Sequence, residues 1–341
     1  MLASSKSVRL LLMDMSALAY AAAYQTHLKS KFYKQRHIGV VQGVVNSVLS
    51  FAATYPSALP VALWEGEAQW RRQLLPGYKA HRARSAHRQE AKERVREQTP
   101  VAQAILGFLG VAQLWHPDAE ADDLAGVLAP ALSDEGVQLR LISPDTDWWQ
   151  LITMQATWKA PGIGEALTMA KFCAPDRPLA PPGGWRSPRE YLEAKIICGD
   201  DTDEIPGLGG LTLPMAADLL RKLPNGLTDL LQETNAVDPG LSQWLCNSGC
   251  LQLLRRNQAL MDLSRVPGLS PCSLWARAPE VRLPAAYVFA KEHGLTELAD
   301  RIANRRVTLP AENVNLWEKT LAALRAYCEG ATHSPLLEAA A

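Results

Sequence analysis

Short apolar runs that stop at carboxylates set the rhythm of the first half of this chain. Residues 8–13 end at Asp14, and residues 59–64 end at Glu65. Residues 111–115 lead through a short loop to Glu120, and residues 137–143 lead through Pro144 to Asp145. Runs of this length predict strands buried on both faces, as a parallel sheet requires. A further strand is predicted at 154–158. Helical patterns fall between them: an Ala-rich start at 16–24, a long amphipathic stretch at 40–55, and 120–132. Strands alternating with helices predict an α/β protein, with a parallel-rich sheet flanked by helices.

The second half reads as helical. Residues 174–188 are rich in Pro and Gly and form a loop; Ser187 then offers an N-cap and Pro188 a first helical position, for a helix through 197. Gly207, Gly209 and Gly210 make a tight turn, after which Thr212 and Pro214 open a helix at 215–223. Helical patterns continue to about 306, and 307–341 read as a hairpin-like addendum with an Ala-rich end. Three regions are expected: 1–186, 187–306 and 307–341. Residues 82–98 contain good helix formers but no apolar stripe. Two readings stand open there, a solvated helix or loop and a basic segment that orders around a polyanion.

The carboxylates change the picture. Asp14, Glu65, Glu120 and Asp145 each follow a strand, at the edge where open parallel sheets bind ligands. Asp122, Asp123 and Asp147 lie close by in sequence, and Asp200 and Asp203 stand in the run from Gly199 to Gly207. Any one of these acids reads equally well as a helix N-cap or a turn residue. Jointly they predict a site for hard cations, since gathered carboxylates need a compensating charge. Two divalent ions roughly 4 Å apart can activate water and stabilise the leaving oxygen of a phosphodiester. Backbone N–H groups at the Gly207–Gly210 turn and the following helix are suited to phosphate.

Composition narrows the class. The 341 residues are 48% hydrophobic and 21% charged, with 35 basic and 35 acidic residues. That balance argues against indiscriminate coating of nucleic acid. The basic residues are nevertheless concentrated in an arch-like stretch of about 71–98, from Arg71 and Arg72 through Lys79, Arg82 and Arg84 to Arg96. No apolar run is long enough for a membrane helix and no targeting segment is evident, so cytoplasm is expected. The six cysteines are scattered without zinc-ligand spacing and read as reduced thiols.

Specific motifs now add to these readings. Leu12-Met13-Asp14, Gly43-Val44-Val45-Asn46, Trp64-Glu65-Gly66 with Arg71, and Leu75-Pro76-Gly77-Tyr78-Lys79-Ala80-His81-Arg82 occur in this order. Glu120-Ala121-Asp122-Asp123-Leu124, Ser143-Pro144-Asp145-Thr146-Asp147 with Gln150-Leu151, and Gly199-Asp200 through Pro206-Gly207 follow. Arg256-Asn257 with Leu260, Asp262 and Leu263 completes the set. From about 8 to 265 the chain resembles the 5′ nuclease family, the flap endonucleases and 5′→3′ exonucleases that include phage enzymes and the N-terminal domain of bacterial DNA polymerase I. The resemblance implies a PIN-like core with a helix–three-turn–helix DNA-binding region. It implies a first metal held by Asp14, Glu65, Glu120 and Asp122 with Asp123 nearby, and a centre completed by Asp145, Asp147, Asp200 and Asp203. The implied cofactor is Mg²⁺, two ions, with Mn²⁺ able to substitute.

Lys79 and Arg82 are the implied phosphate-contacting catalytic residues. Arg71, Arg72, Tyr78, Arg84, Gly207, Gly209, Gly210 and Thr212 are the implied DNA contacts; for Tyr78 a buried role is an equal alternative. The implied substrates are DNA with free 5′ ends, flaps and RNA–DNA hybrids, cut by a monomer in the host cytoplasm if phage-encoded. A chain without a polymerase domain is similar to phage exonucleases that trim primers. Three departures stand out: Glu65 replaces the family's Asp, Ala21 replaces an Arg, and Gly210-Leu211-Thr212-Leu213-Pro214 lacks the second Gly and the Lys of Gly-x-Gly-x-Lys. Potassium at the turn is therefore left open, with Arg221 or Lys222 as substitutes for the lost Lys. Two rival readings are a structure-specific DNA-binding protein without catalysis and a PIN-type ribonuclease.

Overall fold

A computed structural model describes residues 8–80, 85–162, 164–177, 180–232, 240, 249–309 and 313–330. In chain order the first half runs β1 (Leu10–Asp14), α1 (Met15–Tyr24), α2 (Thr26–Lys29), the small pair β2 (Phe32–Tyr33) and β3 (Arg36–His37), and α3 (Gly39–Thr54). It continues with β4 (Leu59–Trp64), α4 (Gln69–Leu74), α5 (Ala86–Phe108), β5 (Ala112–Trp115), α6 (Ala121–Asp134), β6 (Leu139–Ile142), the 3-10 helix Thr146–Leu151 and β7 (Ala156–Lys159). The second half runs α7 (Met169–Phe172), α8 (Pro188–Cys198), the pair β8 (Gly199–Asp200) and β9 (Ile205–Pro206), α9 (Leu213–Leu220), α10 (Leu227–Gln232) and α11 (Cys250–Met261). β10 (Trp275–Arg277), α12 (Leu283–Glu292), α13 (Thr296–Ala303) and α14 (Val314–Gly330) follow.

Six strands form one sheet in the order β10-β5-β4-β1-β6-β7, parallel except for β10, which pairs antiparallel with β5. The central strands are the most apolar because both their faces are covered: β4 is apolar throughout and β1 up to its last residue, Asp14. Leu10 and Leu12 of β1 join one core with Leu59, Val61 and Leu63, while Leu11 and Met13 join the other with Ala62 and Trp64. Helices α6, α8, α9, α11 and α14 bury their apolar positions in the first core, and α1, α3, α5, α12 and α13 bury theirs in the second. From β1 the chain steps outward through β4 and β5, then returns to the other side of β1 with β6 and β7. Its direction reverses between β1 and β6, and the crevice at their carboxyl ends is where such sheets place a ligand.

Two sequence expectations change. Residues 307–341 contain no hairpin among the described residues; instead α14 buries Trp317, Leu321, Leu324 and Cys328 at helical spacing. Within 82–98, the described residues from 85 on do have an inward stripe, but it is small and polar. α5 begins behind the Ser85 N-cap and buries Ala91, Arg94, Gln98, Ala102 and Ile105. Gln98 Oε1 accepts from the Val40 and Val41 N–H groups at 2.9 and 3.2 Å, so a polar side chain of α5 caps α3.

Candidate metal centre and nucleic-acid interface

Each acid reaches the crevice by a local rule. Asp14 ends β1 and N-caps α1, its Oδ1 accepting from the Ala17 N–H at 2.9 Å. Its Oδ2 accepts from the Ser143 hydroxyl at 2.8 Å, which ties the ends of β1 and β6 together. Asp145 N-caps the 3-10 helix by accepting from the Asp147 N–H at 2.8 Å. Glu65 follows β4 and accepts from Ser16 Oγ at 2.5 Å, which brings it beside the start of α1. Glu120 and Asp122 flank the start of α6, and Asp122 accepts from the buried Trp148 indole at 2.6 Å. Capping and gathering at one rim are the same act for Asp14 and Asp145, because each carboxylate keeps lone pairs beyond those used by the cap.

The electrostatics record the crowding. Burial pushes the Asp14 carboxyl up to about 7, with Asp145 and Glu65 adding repulsion. Asp145 opens partly to solvent, yet the protein packed around it and its neighbour Asp147 push it up to about 6. Asp122 is raised well above the usual range by burial and by Asp145, Asp14 and Glu120. Among the described residues none of these three forms an ion pair with a basic side chain.

The flanking acids are paired. Burial opposes the charge of Glu120, but Lys79 and Arg71 outweigh it and hold the carboxyl down to about 2. Lys79 Nζ lies 3.0 Å from both Glu120 oxygens and 3.6 Å from Asp203. On the other flank, Lys195 of α8 pairs with Asp147 and, at 2.8 Å, with Asp200. The centre is thus a rim of three mutually repelling acids between two lysine-bridged pairs. An all-oxygen, net-negative donor set of this kind suits a hard divalent cation. Among the described residues no three carboxylates already enclose one point in ligating geometry. The fit therefore lies in the donor chemistry and the uncompensated charge.

Four expected site residues serve the scaffold instead. Asp123 is 0% exposed and accepts a two-pronged bond from Arg71, 2.6 and 2.5 Å, while also accepting from the Glu120 N–H at 2.8 Å. It is an ion-pair partner, not a metal ligand. Arg71, 2% exposed, is closed off from DNA by the same pair. Tyr78 is 7% exposed and donates its hydroxyl to Glu120 at 3.1 Å, so the buried reading holds and stacking does not. Gly207 is present for space: a Cβ there would overlap the carbonyl of Cys198. Arg221 is no substitute for the family's Lys, because it clasps Glu190 at 2.7 Å and the carbonyls of Pro182 and Gly184.

Arg72, Gly209, Gly210 and Thr212 are exposed, the last three where the 199–212 connection enters α9. Arg82 and Arg84 lie outside the described residues. Sequence reasoning missed Ser143, Trp148 and Lys195. Ser143 and Trp148 flank motif acids and were within reach of inspection, whereas a lone lysine on α8 carries no signature.

The comparisons agree with this fold. The family model described as 5′-3′ exonuclease, N-terminal resolvase-like domain, matches residues 9–172. Over those residues the chain is similar to the 5′ nucleases. DNA polymerase I of Synechocystis is 27% identical over 238 residues, 64% of this chain and 22% of the polymerase. Flap endonuclease Xni of Pectobacterium atrosepticum is 33% identical over 181 residues, 52% of this chain and 64% of that protein. The chain thus spans about a fifth of the length of that polymerase and less than two thirds of the flap endonuclease. A structure of the T5 5′-exonuclease with bound divalent zinc ions superposes with a TM-score of 0.60 at 18% identity, covering 87% of this chain and 98% of that one. The last likeness is one of fold.

Proposed function

We propose that this chain is a 5′ nuclease, a divalent-metal-dependent enzyme that hydrolyses DNA phosphodiesters at or near 5′ ends. The observation that carries the reading is the rim of Asp14, Asp122 and Asp145, delivered by three separate elements to the crevice between β1 and β6. The T5 relative's bound divalent ions and the flap endonuclease named above support it. Asp14, Glu65, Glu120, Asp122 and Asp145 are assigned to hold metal, with Asp147, Asp200 and Asp203 completing a two-ion Mg²⁺ centre that accepts Mn²⁺. When bound, such ions supply an activated water and stabilise the departing oxygen.

The chain's own residues then place the substrate. Lys79, already at the acid rim, is assigned to the scissile phosphate with Arg82. Gly209, Gly210, Thr212 and the open first turn of α9 are assigned to duplex backbone, where N–H groups bind phosphate without reading sequence. Arg72 and Arg84 add to that electrostatic hold, and RNA–DNA hybrids are included among the substrates.

A 5′-labelled flap and a blunt duplex incubated with Mg²⁺ test the reading by product size. Cleavage is expected with the parent protein, and none with Asp145→Asn, which keeps its DNA binding. Binding without any cleavage by the parent would sink the enzyme in favour of a DNA-holding protein; preference for single-stranded RNA would favour the ribonuclease.

A further inference from the structure

One helix underlies three of the acid-bearing elements. Asn257 of α11 is 0% exposed, and its Nδ2 donates to the carbonyls of Ile196 at 3.1 Å and Pro206 at 2.7 Å. Those carbonyls stand on the two sides of a neck, the last turn of α8 and strand β9, from which the loop carrying Asp200 and Asp203 emerges. The β8–β9 pairing and the Leu208 N–H to Ile197 carbonyl bond, 2.8 Å, close the same neck. One turn further on, at the last residue of α11, Gln150 Nε2 donates to the Met261 carbonyl at 3.1 Å and to the Asp147 carbonyl at 3.0 Å. Gln150 Oε1 accepts from the Leu263 N–H at 3.0 Å. Next to it, the Leu263 carbonyl occupies the space that a Cβ on Gly126 would need, one turn along α6 from Asp122.

We propose that Asn257 and Gln150 are positioning residues, the two ends of a brace through which α11 sets the Asp200–Asp203 loop and the Asp147 turn against Asp122. The proposal rests on the metal-dependent reading above. Neither side chain touches the reacting atoms. A single primary amide nitrogen has two N–H bonds and can hold two carbonyls at once, which a hydroxyl or an aliphatic side chain of similar size cannot. Groups that orient metal ligands typically alter metal affinity by about 10-fold to 100-fold when removed.

The test is Mn²⁺ binding by the DNA-free full chain, followed by electron paramagnetic resonance, for the parent, Asn257→Leu and Gln150→Leu. Each variant is expected to bind Mn²⁺ about tenfold or more weakly. At saturating Mg²⁺ kcat should fall, while DNA affinity in chelator stays within about twofold of the parent. Gln150 is only half-buried, so Gln150→Leu carries the test should Asn257→Leu fail to fold. A variant that loses thermal stability but binds Mn²⁺ like the parent overturns the brace, because packing alone would behave that way. A parent that binds no Mn²⁺ overturns the metal reading and the brace together.

Discussion

Asp123 and Arg71 show how a carboxylate in a motif can belong to the frame instead of the chemistry. Both are buried, and the guanidinium fork occupies both Asp123 oxygens. Removing one member of such a pair leaves an uncompensated buried charge, which costs about 3 to 5 kcal/mol. Arg71→Ala is therefore expected to lose that much in denaturant unfolding, and the double variant Arg71→Met with Asp123→Leu to recover most of it. A loss under about 1 kcal/mol would show the pair to be worth little more than a surface one. From sequence alone Asp122 and Asp123 are indistinguishable neighbours. The rotation of about 100° between successive helical residues sends one to the rim and the other inward, and only the phase of α6 decides which. Asp14 and Asp145 were legible because the first ends a strand and the second follows one closely.

Elements whose core is apolar were readable, and those whose core is polar were not. β1 and β4 are read correctly to within a residue or two because burial on both faces leaves no polar position in them before Asp14 at the end of β1. α5 hides its inward face behind Arg94 and Gln98, whose burial is met partly by hydrogen bonds to α3 and Glu90. α14 did show its period, Trp317, Leu321, Leu324 and Cys328, beneath the Pro- and Asn-containing stretch before it. The α8–α9 connection was legible as a glycine turn, but the reason for Gly207 was not: the neck needs room for the Cys198 carbonyl. Gly207→Ala is expected to destabilise the fold by about 1 to 3 kcal/mol, the usual cost of overpacking. Cleavage should fall further than thermal stability explains, since the neck holds Asp200 and Asp203. Equal losses in both measurements would place Gly207 in the fold alone.

For the whole molecule the acid rim sets a proton balance. Asp14 is held near 7 and Asp145 near 6 when folded, against about 4 in an unfolded chain. Between those values the folded state binds more protons than the unfolded one, so stability rises as pH falls. The depressed Glu120 works in the opposite sense, but its contribution is lost only as pH falls from about 4.5 toward 2, below this window. The metal-free protein is thus expected to melt at higher temperature at about pH 5.5 than at about pH 8. Added Mg²⁺ should flatten or reverse that slope, because metal and protons compete for the same oxygens. Melting curves in chelator that rise with pH would remove the rim's repulsion from the account.

The sheet's outermost strand lies far along the chain. β5 is made by residue 115, yet its outer edge is covered only when Trp275–Arg277 arrives and pairs with it. A growing polypeptide therefore carries an open row of backbone donors and acceptors through some 160 residues of synthesis. During that interval the nascent chain is most exposed to pairing with a stranger's strand, and completion of the fold waits on its last third leaving the ribosome.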